Sequence, residues 1–218
     1  MKKGYKGLAT AALAGVLALS VAGCGGSPAP AGSEPAKASS DYKVQMLTDM
    51  GGVNDRSFNQ LAWEGLQKLN KETGIEVGYT ESKQEADYAT NLDKAVDSDA
   101  QTVWGIGFAM AGAVRDAAVT NPDVHFAIID NAYPEKGHKD DNGNEDGLTD
   151  NLTGVTVKTQ EPSFVAGYLA AMTSETGKVG FVGGMKSDVL ETFNWGCQAG
   201  VAYANKAEGK NVEVVSQY

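Results

Sequence analysis

Lys43-Val-Gln-Met-Leu-Thr48 and the segment Ser57–Thr73 that follows it decide the fold. The first run is short and mainly apolar, which is typical of a buried strand. The second places Phe58, Leu61 and Leu66 at helical spacing and ends before Gly74, which predicts an amphipathic helix. A strand that leads into such a helix is the building unit of an α/β protein.

The rest of the chain repeats this unit. Further strands are predicted at Ile75–Thr80, Thr102–Ile106, His125–Ile129, Leu152–Val157, Lys178–Val182 and Val212–Ser216. Further helices are predicted at Glu85–Ser98, Ala111–Thr120, Pro162–Ser174 and Val189–Ala207. This alternation predicts an α/β fold with a parallel sheet, helices on both faces and right-handed crossovers.

The amino terminus predicts export and a lipid anchor. Residues 1–23 combine a lysine-rich head, the apolar run Leu8–Val21 and the small pair Ala22-Gly23, as in a secretory signal peptide. Cys24 follows that pair, a placement that resembles the bacterial lipobox, in which the cysteine is lipid-modified. Residues 24–40 are rich in Gly, Ser, Ala and Pro and predict a flexible tether. We therefore expect a protein anchored to the cell membrane on its extracytoplasmic side; an ordinary signal peptide with an incidental cysteine is the alternative.

Composition excludes several classes of partner. The chain of 218 residues has a formal net charge of −10, which argues against nucleic-acid binding. It contains two cysteines, and if Cys24 carries lipid then Cys197 has no partner for a disulfide. Cys197 lies in a predicted helix, where a small core residue is the expected role.

Catalysis and metal binding have little support. The only histidines are His125 and His138, and no motif of a hydrolase, zinc site or phosphate-binding loop occurs. The acidic loop Pro134–Asn151 has Asp and Asn at alternate positions, but neither register of a calcium loop finds both its glycine and its final glutamate. We expect no enzyme, no cofactor and no metal.

The ends of the predicted strands bring four candidate ligand-binding residues to one edge of the sheet. Asp49 follows the first strand, Phe58 lies in the first turn of the next predicted helix, and Phe108 and Asp130 follow the third and fourth strands. Ligands of open parallel sheets bind beyond these carboxyl ends. Two rings and two carboxylates suit a small ligand with a flat face and hydrogen-bond donors. The alternatives are that both acids cap turns and that Phe58 belongs to the core.

Four motifs carry a family resemblance. Asp49-x-Gly-Gly-Val-Asn-Asp-Arg-Ser57-Phe58-Asn59-Gln-x-Ala-Trp-Glu-Gly65 resembles the opening signature of the basic membrane protein family of solute-binding lipoproteins, which includes purine nucleoside receptors of ABC transporters. Similar segments follow in the same order at Ile128–Asn131, Glu161–Ala171 and Val179–Met185. The likeness covers nearly all of residues 41–218.

The resemblance implies a type I periplasmic-binding-protein fold, with two α/β lobes that grip a ligand between them. The first lobe is expected at 41–177 and the start of a second at 178–218. Because relatives continue through a larger second lobe, the resemblance also implies a truncated chain with poor affinity. It implies a monomer that binds a purine nucleoside and hands it to an ABC permease.

The same resemblance implies roles for individual residues. Phe58 would stack on the base, Asp49 and Asn59 would make polar contacts, and Asp130 would accept hydrogen bonds from the base edge. Ser57 and Phe108 complete the expected ligand-binding set. Cys197 stands where relatives tend to have an aromatic residue, which concerns packing more than function.

Two other functions stay open. A binding protein of the same fold could take a sugar or a furanose signal, which would call for more polar groups at the strand ends. A surface lipoprotein that contacts macromolecules is the other possibility, supported by the acidic loop Pro134–Asn151.

Overall fold

The structure is a computed structural model that describes residues 41–218. The predicted signal peptide, the lipid site at Cys24 and the tether lie outside the described residues. Within residues 41–218, none of the helices combines the length and the apolar character needed to cross a bilayer.

Residues 41–218 contain seven strands and five α-helices, which alternate except where β5 follows β4. The strands are β1 (Lys43–Thr48), β2 (Glu76–Glu81), β3 (Thr102–Ile106), β4 (His125–Ile129), β5 (Leu152–Val155), β6 (Lys178–Val182) and β7 (Glu213–Gln217). The helices are α1 (Phe58–Thr73), α2 (Asp87–Asp97), α3 (Ala111–Thr120), α4 (Gln160–Thr173) and α5 (Asp188–Glu208), and a short 3₁₀ turn covers Phe108–Met110. All predicted elements are present.

The main sheet has five parallel strands in the order β2-β1-β3-β4-β5. Tyr79 and Trp104 flank Met46 in register, and Tyr79 packs edge-on against Trp63 of α1, so these side chains mark the α1 face. Gly105 points to the other face, where an added Cβ would meet Val114 of α3. Since α2 packs against α3, helices cover both faces of the sheet, which confirms the predicted fold class.

The main core fills the layer between this sheet and its helices. Its fully buried side chains include Met46, Leu47, Leu92, Val103, Ile106, Val114, Phe126 and Ile128. They come mainly from β1, β3, β4, α2 and α3. The central strands are therefore fixed firmly enough to position the loops at their carboxyl ends.

A second packing unit contains α4, α5 and the parallel pair β6-β7. The two helices approach so closely that a Cβ on Gly167 would overlap the backbone of Cys197, and one on Gly200 would overlap the carbonyl oxygen of Phe164. Ala171, Val201, Ala204 and Val212 form its small core. Helix α4 thus packs with α5 and β6, whereas the predicted boundary at 177/178 puts it in the first lobe. The described residues belong to one compact unit, so the lobe boundary at 177/178 stays a prediction.

Candidate functional site

A cleft of about 730 Å³ opens at the carboxyl edge of the main sheet. Its wall includes the aromatic residues Phe108 and Tyr133, the acids Asp130 and Asp188, and the hydroxyl residues Thr156, Thr159, Ser187 and Thr192. The segments that follow β3, β4 and β5 supply one side. The start of α5 supplies the other. The structure therefore brings Phe108 and Asp130 together, as the strand-end argument predicts.

Asp130 presents an uncommitted carboxylate to this cleft. Its backbone has φ 69°, a left-handed conformation that Asp tolerates better than most residues. Its amide donates to the carbonyl oxygen of Val155 at 2.8 Å, which ties the residue to β5. Within residues 41–218 the carboxylate accepts no hydrogen bond, and burial raises its pKa above the ordinary value. The backbone is anchored while the side chain is left available, so Asp130 does not act as a turn cap.

The loop after Asp130 is held in place by its own side chains. Asn131 accepts a hydrogen bond from the amide of Tyr133 at 2.8 Å through its Oδ1 atom. The Tyr133 hydroxyl donates to the carbonyl oxygen of Ala111 at 2.8 Å, and burial raises the pKa of this tyrosine. Because Tyr133 also has φ 50°, two left-handed residues bend the chain around the cleft wall. Side-chain bonds of this kind support such a bend against its backbone strain.

Asp49 and Phe58 meet at Gly107, one residue before Phe108. A Cβ built on Gly107 would lie 3.5 Å from Oδ2 of Asp49 and 3.8 Å from Cε1 of Phe58. Gly107 has φ 108°, which favours glycine and brings the backbone close to both groups. Phe58 is half-buried and packs on the main core, so part of its ring serves packing. Neither Asp49 nor Phe58 lines the cleft itself; they stand next to Phe108.

One oxygen of Asp49 is used inside the protein. Oδ1 accepts hydrogen bonds from the amide of Gly51 at 2.8 Å and from Nδ2 of Asn59 at 2.8 Å. The turn-cap interpretation of Asp49 therefore holds for this atom. Oδ2 has no hydrogen bond to any described residue and faces Gly107. Asp49 can offer a ligand one carboxylate oxygen.

Asn59 differs from the expected ligand contact. Its side chain is 1% exposed. The Nδ2 group donates to Asp49 and to Oδ2 of Asp55 at 3.0 Å, and Oδ1 accepts from the amide of Asp49 at 3.3 Å. All three of its polar positions are thus committed, and Asn59 positions Asp49. Ser57 also stands apart: its exposed side chain neither caps α1 nor lines the cleft.

The residue that starts α1 is Asp55, which the sequence analysis did not single out. Oδ1 accepts from the amides of Ser57 at 2.8 Å and Gln60 at 3.1 Å, and Oδ2 accepts from the amide and side chain of Asn59 at 3.0 Å each. Burial alone would raise the pKa of Asp55, but the amides of Asn59, Ser57 and Gln60 outweigh it and lower the pKa to about 2. An acid three residues before a helix start is the sequence signal that could have identified it.

The residues at the start of α5, which form the second side of the cleft, were not among those predicted from the sequence. Ser187 accepts a hydrogen bond from the amide of Leu190 at 3.4 Å and starts α5, while Asp188 and Thr192 project from its first turns. Gly183 to Met185, which follow β6 and end one of the family-like segments, do not line the cleft. A Ser-Asp pair ahead of an apolar helical pattern predicts a helix start, but only the packing of α5 brings it opposite Asp130.

The acidic loop 134–151 is tied to α3. Arg115 donates through Nε to the carbonyl oxygen of Gly147 at 3.0 Å, and Asp140 accepts from the amides of Asn142 and Asn144. Within the described part of the chain, no three His, Cys, Asp or Glu side chains cluster as metal ligands. The side-chain oxygen atoms of the loop are thus largely engaged in hydrogen bonds within its own turns.

Comparison with known proteins identifies relatives over the whole described region. The family model for ABC transporter substrate-binding proteins of the PnrA-like type, Bmp, matches residues 42–218. The chain is 40% identical over 200 residues to a CD4+ T-cell-stimulating antigen of Listeria innocua, covering 89% of this chain and 51% of that protein. It is 36% identical over 222 residues to the ABC transporter nucleoside-binding protein BmpA of Lactococcus lactis, covering 100% of this chain and 57% of that protein.

A solved structure agrees with these matches. An ABC transporter solute-binding protein from Aeropyrum pernix K1 superposes with a TM-score of 0.67 at 30% identity and covers 81% of this chain and 47% of that one. The chain spans about half the length of the curated relatives it matches. The family match over residues 42–218 thus includes both sides of the cleft.

Proposed function

Because the chain belongs to the Bmp family of PnrA-like ABC transporter substrate-binding proteins, we propose that it binds purine nucleosides in the cleft beside Asp130. The bound nucleoside would be passed to an ABC permease, and the protein would act as a monomer held to the outer face of the membrane by a lipid on Cys24. It would bind its ligand without chemical change. The match to a nucleoside-binding relative supports this choice of ligand class.

The observation that carries the proposal is the carboxylate of Asp130. It is half-buried, has no hydrogen bond within residues 41–218, and belongs to a backbone that is fixed by β5. A half-buried acid without a donor is costly, and a ligand that brings N–H groups removes the cost. A hydrogen bond to such a charged acceptor contributes about 1.5–3 kcal/mol. Purine bases with ring or amino N–H groups offer this donor at an edge.

The neighbours of Asp130 suit the remaining parts of a nucleoside. Phe108 lies in the cleft wall and Phe58 lies beside it across Gly107, so a flat base has apolar rings to pack on. Oδ2 of Asp49 can accept a further hydrogen bond from the ligand. On the facing wall, Ser187, Asp188 and Thr192 offer acceptors and donors to ribose hydroxyl groups.

A sugar is the second candidate ligand, and the composition of the cleft favours it in one respect. Four hydroxyl residues and two acids line the wall, whereas Phe58 stands outside it. A sugar with several hydroxyl groups would satisfy such a wall without stacking. The two candidates differ in one requirement, since only the nucleoside needs the base-edge acceptor at Asp130.

The test is an NMR titration of the chain with inosine, guanosine, adenosine and free ribose. NMR suits this purpose because it measures weak as well as tight binding and reports which residues respond. We expect nucleosides to shift the amide signals of Phe108 and Asp130 at lower concentration than ribose. If ribose binds more tightly than every nucleoside, the sugar candidate replaces the first; if neither binds, the proposed function is wrong.

The matched pair Asp130→Asn and Asp99→Asn sharpens this test. Both acids have left-handed backbones, with φ 69° and 61°, and Asn tolerates that conformation as well as Asp does. Asp99 is exposed and does not line the cleft. We expect Asp130→Asn to weaken nucleoside binding by about tenfold or more, since a charged acceptor is lost, and Asp99→Asn to leave it unchanged. Equal affinities in the two variants would remove Asp130 from the site.

The anchor has its own test. Mass spectrometry of the membrane fraction should find lipid on the peptide that begins with Cys24, and Cys24→Ala should release the protein from that fraction. Stable attachment needs two or more acyl chains, so partial modification would show as partial release. Recovery of unmodified Cys24 in membrane-bound protein would refute the lipid anchor without bearing on the ligand.

A further inference from the structure

Tyr133 has a backbone conformation that bulky residues seldom adopt. Its φ of 50° lies in the left-handed region, where an aromatic side chain is strained. Two hydrogen bonds hold the residue there, because its amide donates to Oδ1 of Asn131 at 2.8 Å and its hydroxyl donates to the carbonyl oxygen of Ala111 at 2.8 Å. Strain that a protein supports in this way is concentrated at ligand sites, so the position of this side chain calls for a role.

The ring of Tyr133 lies between the main core and the cleft. The residue is half-buried and packs against the core, and it also lines the cleft together with Phe108 and Asp130. Its hydroxyl is bound to Ala111, the first residue of α3. The apolar ring is therefore the part of this side chain that remains for a ligand.

The hydrogen bond to Ala111 joins the two segments that carry the other candidate base contacts. Ala111 directly follows the 3₁₀ turn Phe108–Met110, and Tyr133 lies three residues after Asp130. One donor thus connects the segment of Phe108 to the segment of Asp130, and all three side chains line the same cavity. The fold itself then sets the spacing between the rings and the acid before any ligand binds.

Tyr133 supplies an aromatic surface that Phe58 does not supply. Phe58 stands beside Phe108 but does not line the cleft, so Phe108 without Tyr133 would leave a single ring in the wall. A purine base is flat on both faces and wider than one phenyl ring, and it gains from every aromatic surface that it can pack on. A free sugar offers no such flat face.

We propose that Tyr133 is a specificity-determining residue of the cleft, whose ring packs on the purine base beside Phe108 and whose bond to Ala111 holds both rings at a fixed spacing from Asp130. This role rests on the proposed function, because it assigns the base-packing surface of the same site. It makes Tyr133 a residue that favours nucleosides over free sugars.

The first test uses the full chain with inosine. We expect nuclear Overhauser effects between the ring protons of Tyr133, assigned with Tyr133→Leu, and the H2 or H8 proton of the base. If inosine shifts the amide signals of Phe108 and Asp130 but shows no such effect at Tyr133, the proposal fails and the proposed function stands. If no nucleoside shifts any signal, both fail together.

The second test separates the ring from its hydroxyl. Tyr133→Leu removes the ring, and we expect it to weaken inosine binding by about tenfold while ribose binding changes by about twofold at most. Tyr133→Phe removes only the bond to Ala111, and we expect a smaller loss for inosine, about two- to fivefold.

Tyr42→Phe is the matched control for the hydroxyl. Tyr42 bonds Oγ1 of Thr102 through its hydroxyl at 2.7 Å and does not line the cleft, so its replacement should leave both affinities unchanged. Losses in Tyr133→Leu that are equal for inosine and ribose would show that Tyr133 only supports the fold, and would overturn the proposal. The Overhauser measurement on the full chain decides the same question if Tyr133→Leu does not fold.

Discussion

Replacing Asp55 with Asn should loosen the start of α1 and with it the hydrogen bonds between Asn59 and Asp49. Each oxygen of Asp55 accepts two N–H groups, and all four donors belong to Ser57, Asn59 and Gln60. An Asn side chain keeps one acceptor oxygen and turns an NH₂ group toward the other pair of donors. Two hydrogen bonds are lost at the least, and two of the donors at Asn59 or at the α1 backbone are left facing another donor.

Two independent routes give a similar magnitude. Loss of a side chain that caps a helix start costs about 0.5–2 kcal/mol. The pKa of Asp55 falls from its ordinary value of 3.8 to about 2, which corresponds to about 2.4 kcal/mol at neutral pH before solvent screening is considered. Because the carboxylate is only half-buried, screening reduces that figure. We expect the free energy of unfolding to fall by about 1–2 kcal/mol.

The pH dependence of this difference has a definite sign. A carboxylate whose pKa is lowered by folding stabilises the protein above its unfolded pKa, and the contribution disappears as the pH falls through the folded value. For Asp55 this window runs from about pH 4 down to about pH 2. The advantage of the wild type over Asp55→Asn should therefore be full at pH 7 and shrink below pH 4.

Urea unfolding at pH 7 and at pH 3 measures both effects, with Asp123→Asn as the control. Asp123 is an exposed turn residue whose side chain makes no hydrogen bond to the described residues, so its replacement should change stability little at either pH. A loss in Asp55→Asn that is absent at pH 7, or undiminished down to pH 2, would refute the assignment of Asp55 as a charged anchor of α1.

Two glycine predictions test the packing. Gly200→Ala should lower the free energy of unfolding by about 1–3 kcal/mol, because the new Cβ would overlap the carbonyl oxygen of Phe164 and push α5 away from α4. Its control is Gly65→Ala in α1, where an added Cβ meets nothing within 4 Å and stability should rise by about 0.5–1 kcal/mol. Gly107→Ala should lower the free energy of unfolding by about 1–3 kcal/mol through its backbone conformation alone. Calorimetry would measure this loss, and a nucleoside titration would show whether affinity falls as well. A Gly107→Ala protein of unchanged stability would contradict that strain.

The sequence was sufficient for the elements with clear periodicity. Strands β1, β3, β4 and β6 and helix α3 have the predicted bounds, since each is a short apolar or helical run between turn residues. The differences have local causes. Helix α4 begins at Gln160, two residues early, because Pro162 fits in a first helical turn where its missing N–H is not needed. Strand β7 begins at Glu213, since the amide of Val212 is held by Asn205 at 2.9 Å.

Other features could not be read from a linear pattern. The assignment of α4 to the second unit depends on glycines that let two helices touch, and the partner of a glycine is known only in three dimensions. Asn59 has the residue type and position of a ligand contact, but its burial and its three hydrogen bonds give it another task. The bond from the Tyr133 hydroxyl to Ala111 likewise emerges only in three dimensions.

The two acids at the strand ends, Asp49 and Asp130, therefore differ in how far their carboxylates are available to a ligand. Between Asp49 and Asn59, most polar side-chain atoms form hydrogen bonds within the segment itself. Asp55 accepts from the start of α1, Asn59 donates to Asp49, and one oxygen of Asp49 accepts from the turn at Gly51. The likeness of this segment to the family motif is therefore better evidence for the same local loop structure as in the relatives than for the same ligand. Asp130 spends its backbone on the fold and keeps its carboxylate for the cleft. Discrimination between a nucleoside and a sugar should then depend on Asp130, and substitutions of the polar residues Asp49, Asp55 and Asn59 should change affinity for both ligands alike.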